Sequence, residues 1–323
     1  MSNASAIIGH APQRSSLLDD LSTGNVAHAY LFVGPKSLGK FTVAKWFAHE
    51  LLTAGVDDEA GQKRVRAEAE KLIHPDLLII DRLWIEDVCE DFNVLAEYSN
   101  IPQQHRSKAK AKTDTISIDD VRMLQERLYE TGTGRYRCCL IRSAERMQDE
   151  ALTSLLKILE EPPQGVVFLL TTQSQSSLLP TVVSRCRTLR FSRVPKKELA
   201  PLLAGVDDDE AAFMLHVAQG APGAIRRLRD DPDLLRAEKI LHENARAFWV
   251  SGRISERLQL LFPLHERGPE SDRLLLHLAL ALRERGEGLP VREAQAFQTL
   301  VDGLRTNAQR QLLTQRFALE VSL

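Results

Sequence analysis

One short loop constrains the fold of this chain more than any other feature. An unbroken apolar run at residues 29–33 leads into a loop bounded by glycines, and an amphipathic helical pattern starts directly after it. A run that is apolar at every position is typical of a strand buried on both faces of a parallel sheet. In this strand–loop–helix context, backbone N–H groups can surround a phosphate while a lysine adds charge. The candidate phosphate-binding residues are Gly34, Pro35, Lys36, Ser37, Leu38, Gly39 and Lys40.

Further apolar runs of strand length alternate with amphipathic stretches of helix length. Strands are predicted at residues 77–80, 138–141 and 166–170, and helices at residues 118–128 and 150–159. Strands that alternate with helices are typical of an α/β fold. We therefore predict a domain of the α/β class, with a parallel sheet and a P-loop.

The strand signals stop near residue 195, and leucine-rich helical patterns replace them. We predict a P-loop sheet domain over residues 1–193, a small helical domain over 194–232 and a larger all-α domain over 233–323. Residues 81–114 interrupt the alternation and are interpreted as an insertion. Its basic part, residues 106–112, suits either contact with a phosphate backbone or a solvated loop.

Composition narrows the class of protein. The net charge of −2 means that any nucleic-acid contact requires a local basic patch. No apolar run approaches the roughly 20 residues that cross a membrane, and the start of the chain lacks a secretory signal pattern. We therefore expect a cytoplasmic protein without membrane contact. The four cysteines, Cys89, Cys138, Cys139 and Cys186, form no C-x-x-C pair and are expected to be reduced and mostly buried.

Two departures affect the metal chemistry of the loop. The residue after the loop lysine, where a hydroxyl should bind Mg²⁺, is Phe41, which offers no ligand. The strand at 138–141 leads into Arg142 and Ser143, where a metal site of this type places carboxylates. Hydrolysis of a nucleotide is therefore not expected. Binding is left open, because Gly34, Gly39 and Lys40 remain.

Several motifs together resemble the bacterial clamp-loader family of AAA+ proteins. They are the segment at residues 155–163, the strand at 168–172, the triplet Ser184-Arg185-Cys186, and residues 28–32 ahead of the loop. The resemblance spans about residues 7–230. It is strongest to the delta-prime branch of the family, in which the ATP site is degenerate, and Gly223 stands where active members place a sensor arginine.

The resemblance implies that the chain acts at the nucleotide site of another subunit. Arg185, with Ser184 before it, would be an arginine finger that reaches the γ-phosphate held by an adjacent subunit. The implied partners are gamma/tau-like ATPase and delta-like subunits in a hetero-oligomer, a sliding clamp, and primer–template DNA through the complex. The helical domains would be the lid and an oligomerisation collar. The chain would then be a component of a DNA polymerase III assembly without ATPase activity of its own.

Two other functions stay open beside this one. The chain could be a weakly active, gamma-like clamp-loader ATPase, or a scaffold that retains the AAA+ fold. No cofactor is expected to be required, and ATP binding is left open. Members of the family commonly carry a four-cysteine zinc module after the P-loop helix, and this chain has no cysteine between Lys40 and Cys89. No zinc is therefore expected, and no metal ligands are assigned.

Overall fold

A computed structural model describes residues 7–71, 73–80, 115–130, 132–285 and 291–321. The chain divides into two compact units. The first contains the described part of Met1–Pro201 together with Gly220–Gly223, and the second contains the described part of Leu202–Gln219 and Ala224–Leu323. The predicted insertion at 81–114 lies outside the described residues. The division into three domains stays a prediction.

The first unit is built on a five-stranded sheet whose described pairings are all parallel. The strands are β1 Ala29–Val33, β2 Leu77–Ile80, β3 Arg137–Ile141, β4 Val166–Thr172 and β5 Arg187–Arg190. Their order in the sheet is β2-β3-β4-β1-β5. The predicted α/β class with a parallel sheet is confirmed. Four of the strands were predicted from their apolar runs, whereas β5 was not.

Helices cover both faces of this sheet, which explains why its inner strands are apolar at every position. In β1, Leu31 packs with residues of one core that includes Leu155, while Tyr30 and Phe32 pack into a second core with Phe47. The predicted helices at 118–128 and 150–159 are confirmed. The helices of this unit are α1 Ala11–Ser22, α2 Lys40–Thr53, α3 Glu59–Glu70, α4 Ile118–Tyr129, α5 Asp149–Glu160, α6 Pro180–Val183 and α7 Lys196–Leu199.

Local chemistry explains where two of these helices begin. Ser117 and Asp120 form a capping box at the start of α4, in which each side chain binds the backbone N–H of the other residue. Gly39 precedes α2 with a φ of 90°, a left-handed conformation that favours glycine. Both ends are therefore fixed by the residues at the boundary.

The strand register places the sequence motifs at two different edges of the sheet. In parallel strands the carboxyl ends lie together, and here Val33 is level with Thr172 and Arg190. The loop after β1 and residue Arg142 after β3 therefore lie at one edge, which we name the carboxyl edge. Arg185 precedes β5 and lies at the other, the amino edge.

The second unit is helical. The helices Pro232–Val250 and Pro269–Glu284 pack along each other, and Trp249 Nε1 donates to the Leu278 carbonyl at 2.9 Å. Phe248 stacks on Phe317 with 5.2 Å between ring centroids. No helix among the described residues is long and apolar enough to cross a membrane. The remaining helices are α8 Asp208–Ala218, α9 Pro222–Asp230, α10 Pro232–Val250, α11 Ile254–Leu260, α12 Pro269–Glu284, α13 Val291–Leu304 and α14 Arg310–Glu320.

Candidate functional site

The candidate phosphate loop is held in place by backbone contacts at both ends. Gly34 N donates to the Thr172 carbonyl at 3.2 Å, and a Cβ at Gly34 would lie 2.4 Å from the Phe191 carbonyl oxygen. Only glycine fits there, because the φ of Gly34 is 156° and the neighbouring atom is backbone. Leu38 is buried in the core, and its carbonyl lies 2.8 Å from His10 Nε2. The loop is thus a packed element of the first unit.

The loop lysine binds its own loop. Lys40 Nζ donates to the Gly34 carbonyl at 2.5 Å and to the Pro35 carbonyl at 2.6 Å, and the residue is 9% exposed. Burial lowers the pKa of Lys40 to about 8, Glu145 opposes this shift, and the positive charge of Arg142 adds to it. A phosphate bound at this loop would therefore have to replace carbonyl contacts that the ammonium already makes.

The two residues predicted to stand in place of metal ligands contact each other. The Arg142 guanidinium carbon lies 4.7 Å from the centroid of the Phe41 ring, in cation–π contact. Phe41 belongs to the first turn of α2 and Arg142 follows β3, so the fold brings together two positions that are about 100 residues apart in the chain. A guanidinium and a phenyl ring contain no oxygen that could ligate Mg²⁺.

Glu145 is a carboxylate near this site that sequence reasoning did not identify. It follows β3 by a few residues, accepts from Gln173 Nε2 at 3.1 Å and interacts electrostatically with Lys40. Ser143, which follows β3, is held by β4, since its N–H donates to Thr171 Oγ1 at 3.0 Å. A signal for Glu145 would have been an acidic residue within one turn of the strand end.

Gly223 approaches the loop with its backbone. Its N–H donates to the Ser37 carbonyl at 2.9 Å, and a Cβ at this position would lie 2.9 Å from the same oxygen. Both residues belong to the first unit. Any side chain at 223, a sensor arginine included, would require the loop to move.

Arg185 lies at the amino edge and is held by surface contacts. Its Nη2 donates to Glu160 Oε1 at 2.7 Å and its Nη1 to the Thr181 carbonyl at 2.9 Å, while the side chain stays 34% exposed. Ser184 Oγ also donates to the Thr181 carbonyl, at 3.0 Å. Ser184 therefore stabilises the turn that carries Arg185.

The register separates Arg185 from the loop of the same chain. The strand β5 begins at Arg187, which pairs with Tyr30, while the loop begins at Gly34. Four residues at about 3.3 Å per residue correspond to roughly 13 Å along the strand direction, and Arg185 precedes Arg187. The structure thus brings Phe41, Arg142 and Lys40 together and leaves Arg185 at the opposite edge.

A family model described as "DNA polymerase III, delta subunit" matches residues 9–195, more than half of the chain. The chain belongs to this family. The resemblance to clamp-loader AAA+ proteins of delta-prime type is thereby confirmed. As the match includes the phosphate loop and the Ser184–Arg185 turn, both edges of the sheet lie within the region that defines the family.

Similarity to individual DNA polymerase III subunits covers about two thirds of this chain and a smaller share of each of those proteins. The gamma/tau subunit of Mycobacterium bovis is 28% identical over 226 residues, which is 66% of this chain and 34% of that protein. The tau subunit of Escherichia coli is 25% identical, covering 68% of this chain and 31% of that protein. The delta' subunit of Bacillus subtilis is 25% identical, and the similarity covers 70% of this chain and 63% of that protein. The chain thus spans about a third of the length of the gamma/tau relatives it matches.

The cysteines of this family member agree with the sequence expectation where they are described. Cys138 and Cys139 are buried in β3 and Cys186 is half-buried, all three as free thiols. Burial raises the pKa of Cys186 to about 12 and raises the pKa of Cys138 and Cys139 further. These thiols are protonated core residues at neutral pH. Cys89 lies outside the described residues.

Proposed function

We propose that the chain is a subunit of a DNA polymerase III clamp loader that does not hydrolyse ATP and that supplies Arg185 to the ATP site of a neighbouring subunit. Membership of the family and the likeness to gamma/tau and delta' subunits support the assembly. The observation that carries the proposal is the stacking of Arg142 on Phe41 beside the phosphate loop.

The stacked pair argues against hydrolysis on two counts. Mg²⁺ in phosphate sites is held by oxygen ligands in octahedral geometry, and the two positions that should provide them hold a phenyl ring and a guanidinium. The cation would also be repelled by Arg142, because like charges a few ångströms apart in a partly buried site repel strongly. The retained Lys40 cannot compensate, since its ammonium is bound to loop carbonyls.

The position of Arg185 supports a role towards another subunit. It lies at the amino edge and precedes Arg187, which is itself roughly 13 Å along the strand direction from the start of the loop, so it cannot contact a phosphate bound there. Its pairing with Glu160 is exposed at both partners, and exposed ion pairs contribute only about 0–1 kcal/mol. The guanidinium can therefore exchange Glu160 for a more strongly charged phosphate of a neighbour at small cost.

The proposed partners follow from this arrangement. A gamma/tau-like subunit would hold the ATP that Arg185 contacts, and delta-like and further subunits would complete the hetero-oligomer. The assembly would open a sliding clamp and place it on primer–template DNA. In this scheme the chain acts at the nucleotide site of another subunit and requires no bound cofactor of its own.

The test is Arg185→Ala in the complex reconstituted with the cell's own gamma/tau-like ATPase. We expect ATP turnover at the site it serves to fall by about 10³–10⁵, the range for arginine fingers. Arg185→Lys should restore little, because lysine lacks the planar fork of donors. Arg190→Ala, at the other end of β5, is the matched control and should leave turnover unchanged. An unchanged rate with Arg185→Ala would remove the finger from the proposal.

A second candidate, a weakly active gamma-like ATPase, is supported by the 28% identity to a gamma/tau subunit and by the retained Lys40. The isolated chain discriminates the two. We expect its phosphate release to be indistinguishable from that of Lys40→Met. Magnesium-dependent turnover that Lys40→Met abolishes would favour the second candidate.

A further inference from the structure

The second unit contains a cluster of histidine and glutamate side chains on three helices. His216 of α8, His242 of α10 and Glu284 of α12 meet through their ring nitrogens and carboxylate. His216 Nε2 lies 2.9 Å and His242 Nε2 lies 3.1 Å from the same oxygen, Glu284 Oε1. The potential ligand atoms of the three residues all lie within 4.8 Å of one another.

A buried chain of hydrogen bonds orients His242 from behind. His242 Nδ1 lies 3.2 Å from His277 Nδ1, and His277 Nε2 contacts Glu238 Oε2. Glu238 is held in turn by Arg273, 2.5 Å away. Metal-ligating histidines in proteins are typically fixed in this way, through the ring nitrogen that does not face the metal.

Two neutral rings carry two N–H hydrogens for the three contacts between Glu238 and Glu284. When Glu238 accepts from His277 Nε2–H and His277 Nδ1 accepts from His242 Nδ1–H, the third contact has no hydrogen. His242 Nε2 then carries a lone pair that faces the Glu284 carboxylate at 3.1 Å. Two acceptors at that distance repel unless a positive charge lies between them.

A metal ion bound to that lone pair and to the carboxylate would remove this repulsion. Arg246 Nε donates to Glu284 Oε2 at 2.7 Å, which leaves Oε1 to face the two histidines.

We propose that His216, His242 and Glu284 form a binding site for a divalent transition-metal cation of the Zn²⁺ type. Two imidazole nitrogens and one carboxylate oxygen are a ligand set that such ions use, with a fourth position for water. In a tetrahedron with Zn–ligand distances of about 2.0–2.1 Å, ligand atoms are about 3.3 Å apart, close to the 2.9 and 3.1 Å seen here.

Accessibility and placement indicate what the ion would do. The side chains of His216 and Glu284 are 32% and 26% exposed, so solvent reaches one side of the site, whereas His242 is buried. The ligands come from three separate helices. A bound ion would cross-link α8, α10 and α12 and stabilise the second unit, as structural zinc ions do.

The test uses the full chain after treatment with a chelator. Zn²⁺ is titrated in competition with a chromophoric chelator, Co²⁺ binding is followed by visible absorption, and the melting temperature is measured with and without Zn²⁺. We expect one equivalent to bind, the absorption of a four-coordinate Co²⁺ site, and a melting temperature that rises with Zn²⁺, because a ligand of the native state stabilises it.

Variants assign the site. His216→Ala and Glu284→Gln, at partly exposed positions, should weaken Zn²⁺ binding by more than the roughly 10–100-fold typical of losing an outer partner, and Glu238→Gln by about 10–100-fold. His265→Gln is the matched control, since His265 lies in the same unit and contacts Thr314 instead. The proposal would be overturned if Zn²⁺ did not bind to the unaltered chain, or if His216→Ala and Glu284→Gln bound Zn²⁺ as tightly as the unaltered chain does.

Discussion

The charged residues at the two edges of the sheet differ in their burial and in the partners that they contact. At the carboxyl edge Lys40 is buried and bound by loop carbonyls, and Arg142 is stacked on Phe41. At the amino edge Arg185 stays a third exposed and is held by an exposed glutamate and one carbonyl. The difference indicates that charged residues at the first edge are packed into the first unit, while the second edge keeps a guanidinium partly exposed.

The same contrast separates stability from proposed activity. Residues of the carboxyl edge contact backbone atoms of the loop and of neighbouring strands, so their replacement should affect folding. Arg185 has no such buried partner among the contacts described for it, so its replacement should affect only a partner's chemistry. Stability measurements on variants at the two edges therefore test the comparison directly, in the order of the effect expected.

The largest effect is expected for Gly34→Ala. The new Cβ would meet the Phe191 carbonyl oxygen at 2.4 Å, and the strained φ adds to the clash, so unfolding free energy should fall by about 3 kcal/mol or more. Gly39→Ala is the matched control, because its φ is 90° but no described atom lies within 4 Å of the added Cβ. It should cost about 1–2 kcal/mol in chemical denaturation. Equal losses of unfolding free energy in the two variants would contradict the close packing of Gly34 against the Phe191 backbone.

The second largest expected effect is a pH dependence of the unfolding free energy that arises from Lys40. Its pKa falls from the usual 10.5 to about 8 on folding, so between these values the unfolded chain binds more protons. The free energy of unfolding therefore rises with pH across this window. Relative to Lys40→Met, the native chain should gain about 3 kcal/mol between pH 8 and 10.5.

The measurement is chemical denaturation of both proteins at several pH values in that window. Lys36→Met removes an exposed lysine of the same loop and is the control for loss of one positive charge. A difference between the native chain and Lys40→Met that stays constant from pH 8 to 10.5 would show that the ammonium is not buried as described.

The smallest effect is expected for Arg185→Ala. Because its ion pair with Glu160 is exposed, the unfolding free energy should change by about 0–1 kcal/mol. Arg187→Ala, two residues later, provides the contrast, since Arg187 pairs with the buried Asp20 and its loss should cost about 1–3 kcal/mol. If Arg185→Ala destabilised the chain as much as Arg187→Ala, the arginine would be structural and the difference between the edges would disappear.

Sequence patterns predicted the elements that bury a continuous apolar surface. The strands β1 to β4 and the helices α4 and α5 were found because their periodicity reflects burial. The strand β5 was missed because it is an edge strand in which only Leu189 is buried, so its residues Arg187–Arg190 show no apolar run. The polar helix α3, with Ala69 as its one buried residue, gave no signal for a similar reason.

The candidate site was predictable in its residue types and not in its contacts. The loop glycines, Phe41 and Arg142 could be identified because phosphate and metal chemistry restricts which residues serve at given positions. That Arg142 stacks on Phe41, and that Glu145 lies near Lys40, depends on β3 and the loop after β1 ending at the same edge. The histidine cluster had no signal at all, since its members are widely spaced and follow no ligand motif.

The sequence by itself determined which strands are buried on both faces, that a glycine-bounded loop follows the first of them, and that Phe41 and Arg142, which offer no oxygen ligand, stand beside this candidate phosphate loop. These properties depend on a few neighbouring residues and on the period at which apolar side chains recur. Only the tertiary structure decided that Arg185 and the loop lie at opposite edges, and that His216, His242 and Glu284 meet. Strand order and helix packing bring distant segments together, and local periodicity contains no information on which segments those are.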